Sequence, residues 1–564
     1  MSTATAQART LGILAGPLAG GGALVRDYLD GRDLSAFYTG HPGDIEAYRR
    51  KAREVEARLD AAARARAGGA IEALGDAGHH LQRILAGDGF FVTTGQQPAL
   101  FGGPLYTLYK VLAAVRLAAS LEAQLGRPML ALFWVGSDDH DWAEANHTTV
   151  LDAQGYAQRI TVSAPAEAPP VPMSERRWGE GVERAVEEMV SLLPPGPFGR
   201  DVADHIRREY TPDATVAASS TATMRMLLRD QRVAMVDSAH PLLRRAAAPV
   251  LRHEVAHAAR HGALIARQTK RLDELGYGAQ VPVAEDASNL MLLDENGRDR
   301  LMYGARGWHT RREKRGISQD ELVARIEREP DRFSPNVFLR PVVESAAFPT
   351  LAYVAGPGEL SYFAQIGCLF TAHGILPPVI VPRASVTVVE PTMHRLLERT
   401  GVTVEQVRRP LDELVQERLR RDLPPEVTAS LDALRESLVE AHASLGDAAT
   451  RIDPTLRGPI EAARNAALVR SRDLEKRIMA ALRRRNADLV SQLRRLSNAL
   501  RPGGVPQERS LGPLQLFAAY GPRLVSDIAA TIDMTPSGTA SWQGPDCAHD
   551  DGHILAPEAS REIP

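Results

Sequence analysis

The chain has almost no cysteine. Only Cys368 and Cys547 occur among 564 residues, which excludes a disulfide framework and fits a reducing cytoplasm. It has no excess of either charge: 67 Lys and Arg stand against 70 Asp and Glu, a formal net charge of −3. Composition therefore supplies no electrostatic footprint for nucleic acid. No apolar run reaches the roughly 18 residues that a bilayer-spanning helix needs, so no membrane partner is expected. Leu11 to Val25 is apolar, but glycines and Pro17 interrupt it and only Arg9 precedes it, unlike a signal peptide. What is present is ordinary for a globular chain, 44% apolar and 24% charged, and long enough for several domains. Cytoplasmic location follows as the expectation.

One stretch organises the rest. Gly87-Asp88-Gly89 is a turn, and Phe90 to Thr94 are aromatic and β-branched, which reads as a short buried strand. Gly95-Gln96-Gln97-Pro98 ends it, and Gly102-Gly103 after Phe101 provide a backbone that bends sharply and approaches a ligand closely. Pro104 suits a helix start, and Leu105, Leu108, Leu112, Val115 and Ala119 then form one apolar face. A strand, a glycine-bearing turn and a helix start can bind an anion, because free N–H groups and the helix dipole point the same way. The stretch is neither a Walker loop nor a dinucleotide fingerprint. The alternative is a tight connection that binds nothing.

A second strand, Met129 to Val135, runs into Asp138-Asp139-His140-Asp141 and Glu144-Ala145-Asn146-His147. Ligands of parallel α/β sheets sit beyond the carboxyl ends of strands. Asp139, His140, Asp141 and Glu144 are candidates for acid–base work and His147 for binding, while a charge-rich helix start explains the same acids without function. The ligand types suit a metal, but the spacing matches no closed zinc pattern, so no residue is assigned to one.

These residues carry a resemblance. Thr93 to Pro98, Phe101 to Lys110, and Phe133-Trp134-Val135 leading into Asp139-His140-Asp141 resemble the bacillithiol biosynthesis cysteine-adding enzymes, the BshC family. Ser334-Pro335-Asn336-Val337, Leu339-Arg340-Pro341, Ala352 to Glu359 and Val381 to Ser385 continue it, from about Val25 to about Gly521. The resemblance implies an α/β fold: a Rossmann-like core similar to class I aminoacyl-tRNA synthetases, plus a coiled-coil domain that dimerises the chain. It also implies that cysteine is added to glucosaminyl-malate in the last step of making a low-molecular-weight thiol. Class I synthetases carry a lysine-rich phosphate loop where this chain has Arg383-Ala384-Ser385, one arginine and no lysine. A nucleotide, ATP or ADP, is thus an open expectation.

Along the chain, 1–86 reads as helical, with pieces at Ile45 to Ala67 and Ala70 to Ala86. Residues 87–390 read as the core, with insertions near 148–230 and 277–335. Ala164 to Pro172 reads as linker, and Asp294 to Gly297 as hairpin chemistry. A long helix is expected from about Pro241 to Leu275. From Thr392 the pattern turns to long helix. Val427, Leu431, Leu434, Leu438, Ala441, Leu445, Ala448 and Ile452 keep the four–three spacing of a coiled-coil seam. Asp453-Pro454 turns the chain, and Leu474, Ile478 and Ala481, then Leu489, Leu493, Leu496 and Leu500, read as the returning side of an antiparallel hairpin over 391–503. Residues 504–533 read as a closing segment and 534–564 as a flexible tail, with no role given to Cys547 or His553.

Further candidates sit in the later turns. Gly356-Pro357-Gly358-Glu359 follows the strand Leu351 to Val354, with Tyr362 and Gln365 next on the helix; these read as ligand-binding, or as an N-cap with a dipole-favoured acid. Asn336 and Arg340 precede that turn. Arg340 either grips a carboxylate bidentately or is a surface arginine, and Lys110 either snorkels to solvent or reaches an anion. Thr94, Gly95, Gln96, Gln97, Arg383 and Ser385 complete the binding set. Two rivals remain. His253-Glu254-Val255-Ala256-His257 fits the zinc-hydrolase helix pattern, though Arg260 and Ala263 stand where a metzincin has Gly and His. A non-catalytic nucleotide-binding scaffold built on the coiled coil is the other.

Overall fold

The computed structural model describes residues 11–163, 169–304, 307–312 and 316–536. The tail with Cys547 and His553 and most of the Ala164–Pro172 linker lie outside the described residues. The chain divides into two units, one of residues 13–150, 158–387 and 511–564, the other of 1–12, 151–157 and 388–510.

The first unit is organised by six strands: β1 (Ile71–Leu74), β2 (Phe90–Gln96), β3 (Met129–Val135), β4 (Val233–Asp237), β5 (Thr350–Ala355) and β6 (Val379–Pro382). Their order in the sheet is β6-β5-β2-β3-β4-β1. The five strands from β2 to β6 run parallel, and β1 joins the β4 edge antiparallel. All seven residues of β3, and Phe90 to Gly95 of β2, are buried. That is why both read as unbroken apolar runs rather than alternating ones. Helices cover the sheet: α1 (Leu105–Leu125), α2 (Pro241–Glu274), α3 (Arg340–Ala347) and α4 (Pro357–Ala372). The chain winds one way from β2 through β3 to β4, then returns to place β5 on the other side of β2. This reversal puts the topological switch point, where such sheets bind ligands, between the carboxyl ends of β2 and β5.

One expectation fails here for a visible reason. Ala70 to Ala86 is not one helix: Ile71–Leu74 pairs residue by residue with Val233–Val236, Gly75 turns at φ +56°, and helix resumes only at Gly78–Leu85. Pairing at the sheet edge overrides the local helical pattern. The 277–335 insertion does carry strands, Ala287–Asp294, Gly297–Gly304, Gly307–Thr310 and Phe333–Pro335, in one antiparallel sheet. Residues 511–536 return to this unit, where the Leu105 amide donates to the Leu511 carbonyl at 2.8 Å and Gly512 meets Thr148.

In the second unit, α7 (Pro425–Thr450) and α8 (Arg457–Arg485) follow α5 (Pro391–Thr400) and α6 (Leu411–Arg421). The α7–α8 pair is an antiparallel hairpin: Arg435 pairs with Glu475, and Gly446 faces Ile460. The returning side of the seam is shorter than the sequence suggests. Helix breaks at Asn486, and α9 (Ala487–Leu500) buries Leu493, Leu496 and Leu500 with Leu396, Leu414, Val415 and Leu419. Its leucines serve this small helical core, not the hairpin. The helical stretch from Thr392 is likewise broken, by Gly401 and Pro410, into short pieces before α7.

Candidate active site

At the switch point a buried charge network closes the floor between β2 and β5. Lys110, on the second turn of α1, is 2% exposed, so it does not snorkel; its ammonium donates to the Gly95 carbonyl and to Glu359 Oε2 at 2.6 Å, with Gln96 Oε1 at 3.4 Å. Glu359 reaches back to the start of α4, where its Oε2 accepts from the Gly356 amide at 2.8 Å, and its Oε1 accepts from the Tyr353 hydroxyl at 2.6 Å. Burial alone would raise the Glu359 carboxyl; Lys110, the Gly356 N–H and Tyr353 more than offset it and hold it below the usual range. The capping role and the network role are thus both real for Glu359. Lys110 neutralises a carboxylate that stands at the N-terminus of α4.

Arg340 is mostly buried, its side chain 18% exposed, rather than a surface arginine. Its guanidinium donates to Glu344 at 2.9 Å and to the hydroxyls of Tyr353 and Tyr362 at 3.2 Å each, and sits 5.8 Å from the Trp134 ring centre. Glu344 also accepts from Thr93, and its carboxyl is raised by burial, against the pull of Arg340. Thr94 donates to the Val354 carbonyl at 2.9 Å, tying β2 to β5. Gly95 has a physical reason: a Cβ there would stand 3.3 Å from the Trp134 carbonyl and 3.5 Å from the Tyr353 hydroxyl. At the next turn Phe101, Gly102 and Gly103 all have positive φ, 53°, 86° and 73°. Phe101 accepts that strained backbone because its ring is buried 4.7 Å from that of Tyr210. Arg383, after β6, is 1% exposed, donates its amide to the Ala355 carbonyl at 2.9 Å and lies over the Tyr106 ring.

The acidic cluster leaves the neighbouring strand β3. Gln97 Nε2 donates to the Asp141 carbonyl at 3.0 Å, and the Gly136 amide to the Gln96 carbonyl at 2.9 Å, so the two turns are physically joined. Asp141 caps the short helix Trp142–Ala145 by accepting from the Glu144 amide at 3.2 Å. Asp139 accepts from the His140 amide at 2.6 Å. His140 Nδ1 lies 3.3 Å from the guanidinium of Arg298, itself buried and bonded to Ser334 and the Pro335 carbonyl. Burial and then Arg298 lower the His140 pKa, so the ring is neutral at pH 7. Burial, Asp139 and Asp141 raise that of Glu144. Below them Asp138 pairs with the buried Arg244.

Other candidates have internal roles. Asn336 Oδ1 accepts from the Phe338 and Leu339 amides at 3.0 Å, and its Nδ2 bonds Asn289. Fully buried Gln365 holds both backbone groups of Val281 and the Thr269 hydroxyl. Ser385 accepts from the Ala19 amide, His147 Nδ1 is 3.1 Å from the Ala143 carbonyl, and Gly358 approaches the Gln280 amide. Asn336 is satisfied by the backbone just after it and Gln365 by the distant Val281 and Thr269, so both side chains are already engaged. Tyr353, Glu344 and Arg298 were not among the sequence candidates. Tyr353 follows from strand alternation beside Gly95; Arg298 has no local signal, since only the insertion's fold delivers it to His140.

The zinc-hydrolase pattern is not realised. Glu254 is fully buried, accepts from both nitrogens of Asn289 and pairs with His261, so it is not free to serve as a base over a metal-bound water.

Comparison with known proteins agrees with this architecture. Residues 17–384 match the family described as "Bacillithiol biosynthesis BshC, N-terminal Rossmann-like domain", and residues 386–535 match "Bacillithiol biosynthesis BshC, C-terminal coiled-coil domain". A Koribacter versatilis protein named "Putative cysteine ligase BshC" is 32% identical over 471 residues, covering 84% of this chain and 86% of its own. A protein of the same name from Salinibacter ruber is 30% identical over 80% of this chain and 82% of its own, and one from Chlorobaculum tepidum is 32% identical over 78% and 80%. With its Rossmann-like sheet, its helical hairpin and two family matches that together span nearly all its described residues, the chain belongs to the BshC family.

Proposed function

We propose that this protein is a ligase that joins the carboxyl group of cysteine to the amino group of glucosaminyl-malate, forming an amide in the last step of bacillithiol biosynthesis. The observation that carries the reading is the Lys110–Glu359–Tyr353 network at the switch point, next to a turn holding a neutral His140. Family membership supplies the reaction class, through relatives named cysteine ligases.

The chemistry then constrains the roles. Amide formation needs an activated carboxyl, and a nucleoside triphosphate is the activating co-reactant proposed: the cysteine carboxylate attacks a phosphorus atom and pyrophosphate leaves. The amine nitrogen next attacks the acyl carbon, the C–O bond to the nucleotide breaks, and the nitrogen sheds a proton. His140, whose Nδ1 lone pair faces Arg298 at 3.3 Å and whose backbone amide is held by Asp139, accepts that proton at Nδ1. Asp139, Asp141 and Glu144 offer carboxylates to the cysteine ammonium. Anionic groups meet the backbone of the Gly95–Gly103 turn and the start of α4 at Gly356–Gly358. Arg340, engaged by Glu344, Tyr353 and Tyr362, acts by orienting the two tyrosines rather than by gripping the malate.

The test is mass spectrometry of purified protein incubated with cysteine and glucosaminyl-malate, with and without ATP. A condensation product that requires ATP is expected, with a roughly 10²–10⁴-fold loss of rate in His140→Ala. Product formed without nucleotide removes the adenylation step. No cysteinyl product under any nucleotide condition rejects the ligase reading.

A further inference from the structure

Four imidazoles converge away from the rim, where the ligase reading gives them nothing to do. His253, His257 and His261 recur every four residues on α2, one stripe of that helix, and His373 caps the far end of α4. Ring centres lie 4.3 Å apart for His253 and His257, 4.5 Å for His253 and His373, and 4.8 Å for His261 and His373. One ligand nitrogen each from His253, His261 and His373 falls within 4.8 Å of the others.

Their hydrogen bonding points to a cation site. His253 Nδ1 and His373 Nε2 are buried and bond to nothing. His261 Nδ1 lies 2.5 Å from Glu254 Oε2, while Glu254 Oε1 accepts from the Asn289 amide at 2.9 Å and its Nδ2 at 3.0 Å. A carboxylate fixed in this way takes the Nδ1–H of His261 and turns its Nε2 lone pair outward, the arrangement that orients histidine ligands on metals. His257 Nδ1 sits 3.0 Å from the His253 carbonyl, which makes it the donor and leaves Nε2 as the ring nitrogen that can meet an ion. Buried imidazoles with unsatisfied nitrogens crowd one another at a cost unless something binds them.

We propose that His253, His261 and His373 form a binding site for a divalent transition metal, Zn²⁺ being an ion that imidazole ligands suit, with Glu254 as positioning residue and the fourth position open to water or His257 Nε2. Tetrahedral ligation at about 2.0–2.1 Å sets the nitrogens roughly 3.3 Å apart, reached by rotations of side chains already this close. The site is a clasp rather than a hydrolytic centre, because Glu254, the carboxylate that meets it among the described residues, is taken up by His261 and Asn289. It fastens the end of α4 to α2 and, through Asn289, to the insertion sheet. The other end of α4 carries Gly356 and Glu359.

Metal analysis of the full chain, prepared without an affinity tag, tests this. Stripped with a chelator and given Zn²⁺ alone, the protein should retain one ion per chain after gel filtration and melt several degrees higher. Co²⁺ in its place should give the visible d–d absorption of a low-symmetry nitrogen site. His253→Ala with His373→Ala should abolish both, and Glu254→Gln should weaken Zn²⁺ binding roughly 10–100-fold. Zn²⁺ retention unchanged in the double variant overturns the proposal, and so does a wild-type protein that gives no Co²⁺ spectrum, a result that stands even if the double variant does not fold.

Discussion

Removing either member of the Lys110–Glu359 pair should unfold the Rossmann-like unit more easily than any exposed charge change. The pair is 2.6 Å apart with Lys110 2% exposed. At an effective dielectric of about 20, two unit charges at that distance attract by about 6 kcal/mol, most of which offsets the desolvation of both ions. A single truncation therefore costs roughly 3–5 kcal/mol, because the surviving charge is stranded in the core. Lys110→Met leaves Glu359 with only Gly356 N–H and Tyr353; Glu359→Gln leaves the ammonium with the Gly95 carbonyl and Gln96. The double variant strands neither, so the cycle should return a coupling of about 2–3 kcal/mol. Trp134, Trp142, Trp178 and Trp308 all belong to this unit, and residues 388–510 contain no Trp. Tryptophan fluorescence against urea therefore follows the right transition even though the chain does not unfold in one step. The pH dependence has a fixed sign. Glu359's pKa is lowered on folding, so its contribution is fully present above its unfolded value, about 4.5, and is lost as pH falls through the folded one. Glu359→Gln should abolish that acid loss. Single variants within 1 kcal/mol of wild type, or a double variant equal to their sum, would refute the buried-pair argument.

Three further outcomes follow from the same geometry. His140 is lowered below 6.5, first by burial and then by Arg298, so kcat/KM should stay level through neutrality and fall only below pH 6.5; an acid limb centred above 6.5 would contradict a neutral proton acceptor. Gly103, at φ +73° with the Ala99 Cβ 3.3 Å from any added Cβ, should lose about 1–2 kcal/mol as Gly103→Ala, measured by the same fluorescence titration. The α7–α8 hairpin leaves Leu445 56% and Ile452 84% exposed along with Leu434 and Val439. If this face dimerises the chain, Leu445→Glu with Ile452→Glu should halve the mass seen by light scattering without altering the Trp-reported unit.

How much of this was legible in the sequence depends on whether a residue's partner is local. Phe90–Gln96 and Met129–Val135 announce themselves because strands buried on both faces must be apolar throughout, and the glycines after them mark turns that no other residue makes cheaply. Lys110, Glu359 and Arg340 were visible as candidates but not as a network, since Lys110 and Glu359 are 249 positions apart and meet only when β5 returns beside β2. Ile71–Leu74 and the α9 leucines misled for the converse reason: their periodicity is compatible with two partners, and the fold decides which one covers them. The histidines on α2 sharpen the point. A five-residue pattern drew attention to His253, Glu254 and His257 as one zinc motif, yet the structure turns Glu254 inward to His261 and brings His373 from another helix to complete the cluster. A motif records spacing along one element, whereas a ligand set is closed by whichever neighbour packs against it. The residues that close both clusters, Glu359 and His373, lie at opposite ends of the same helix, α4. That helix packs against α2 and β5 and meets α1 through Lys110, so the placement of α4 is the step on which both the rim network and the imidazole cluster depend.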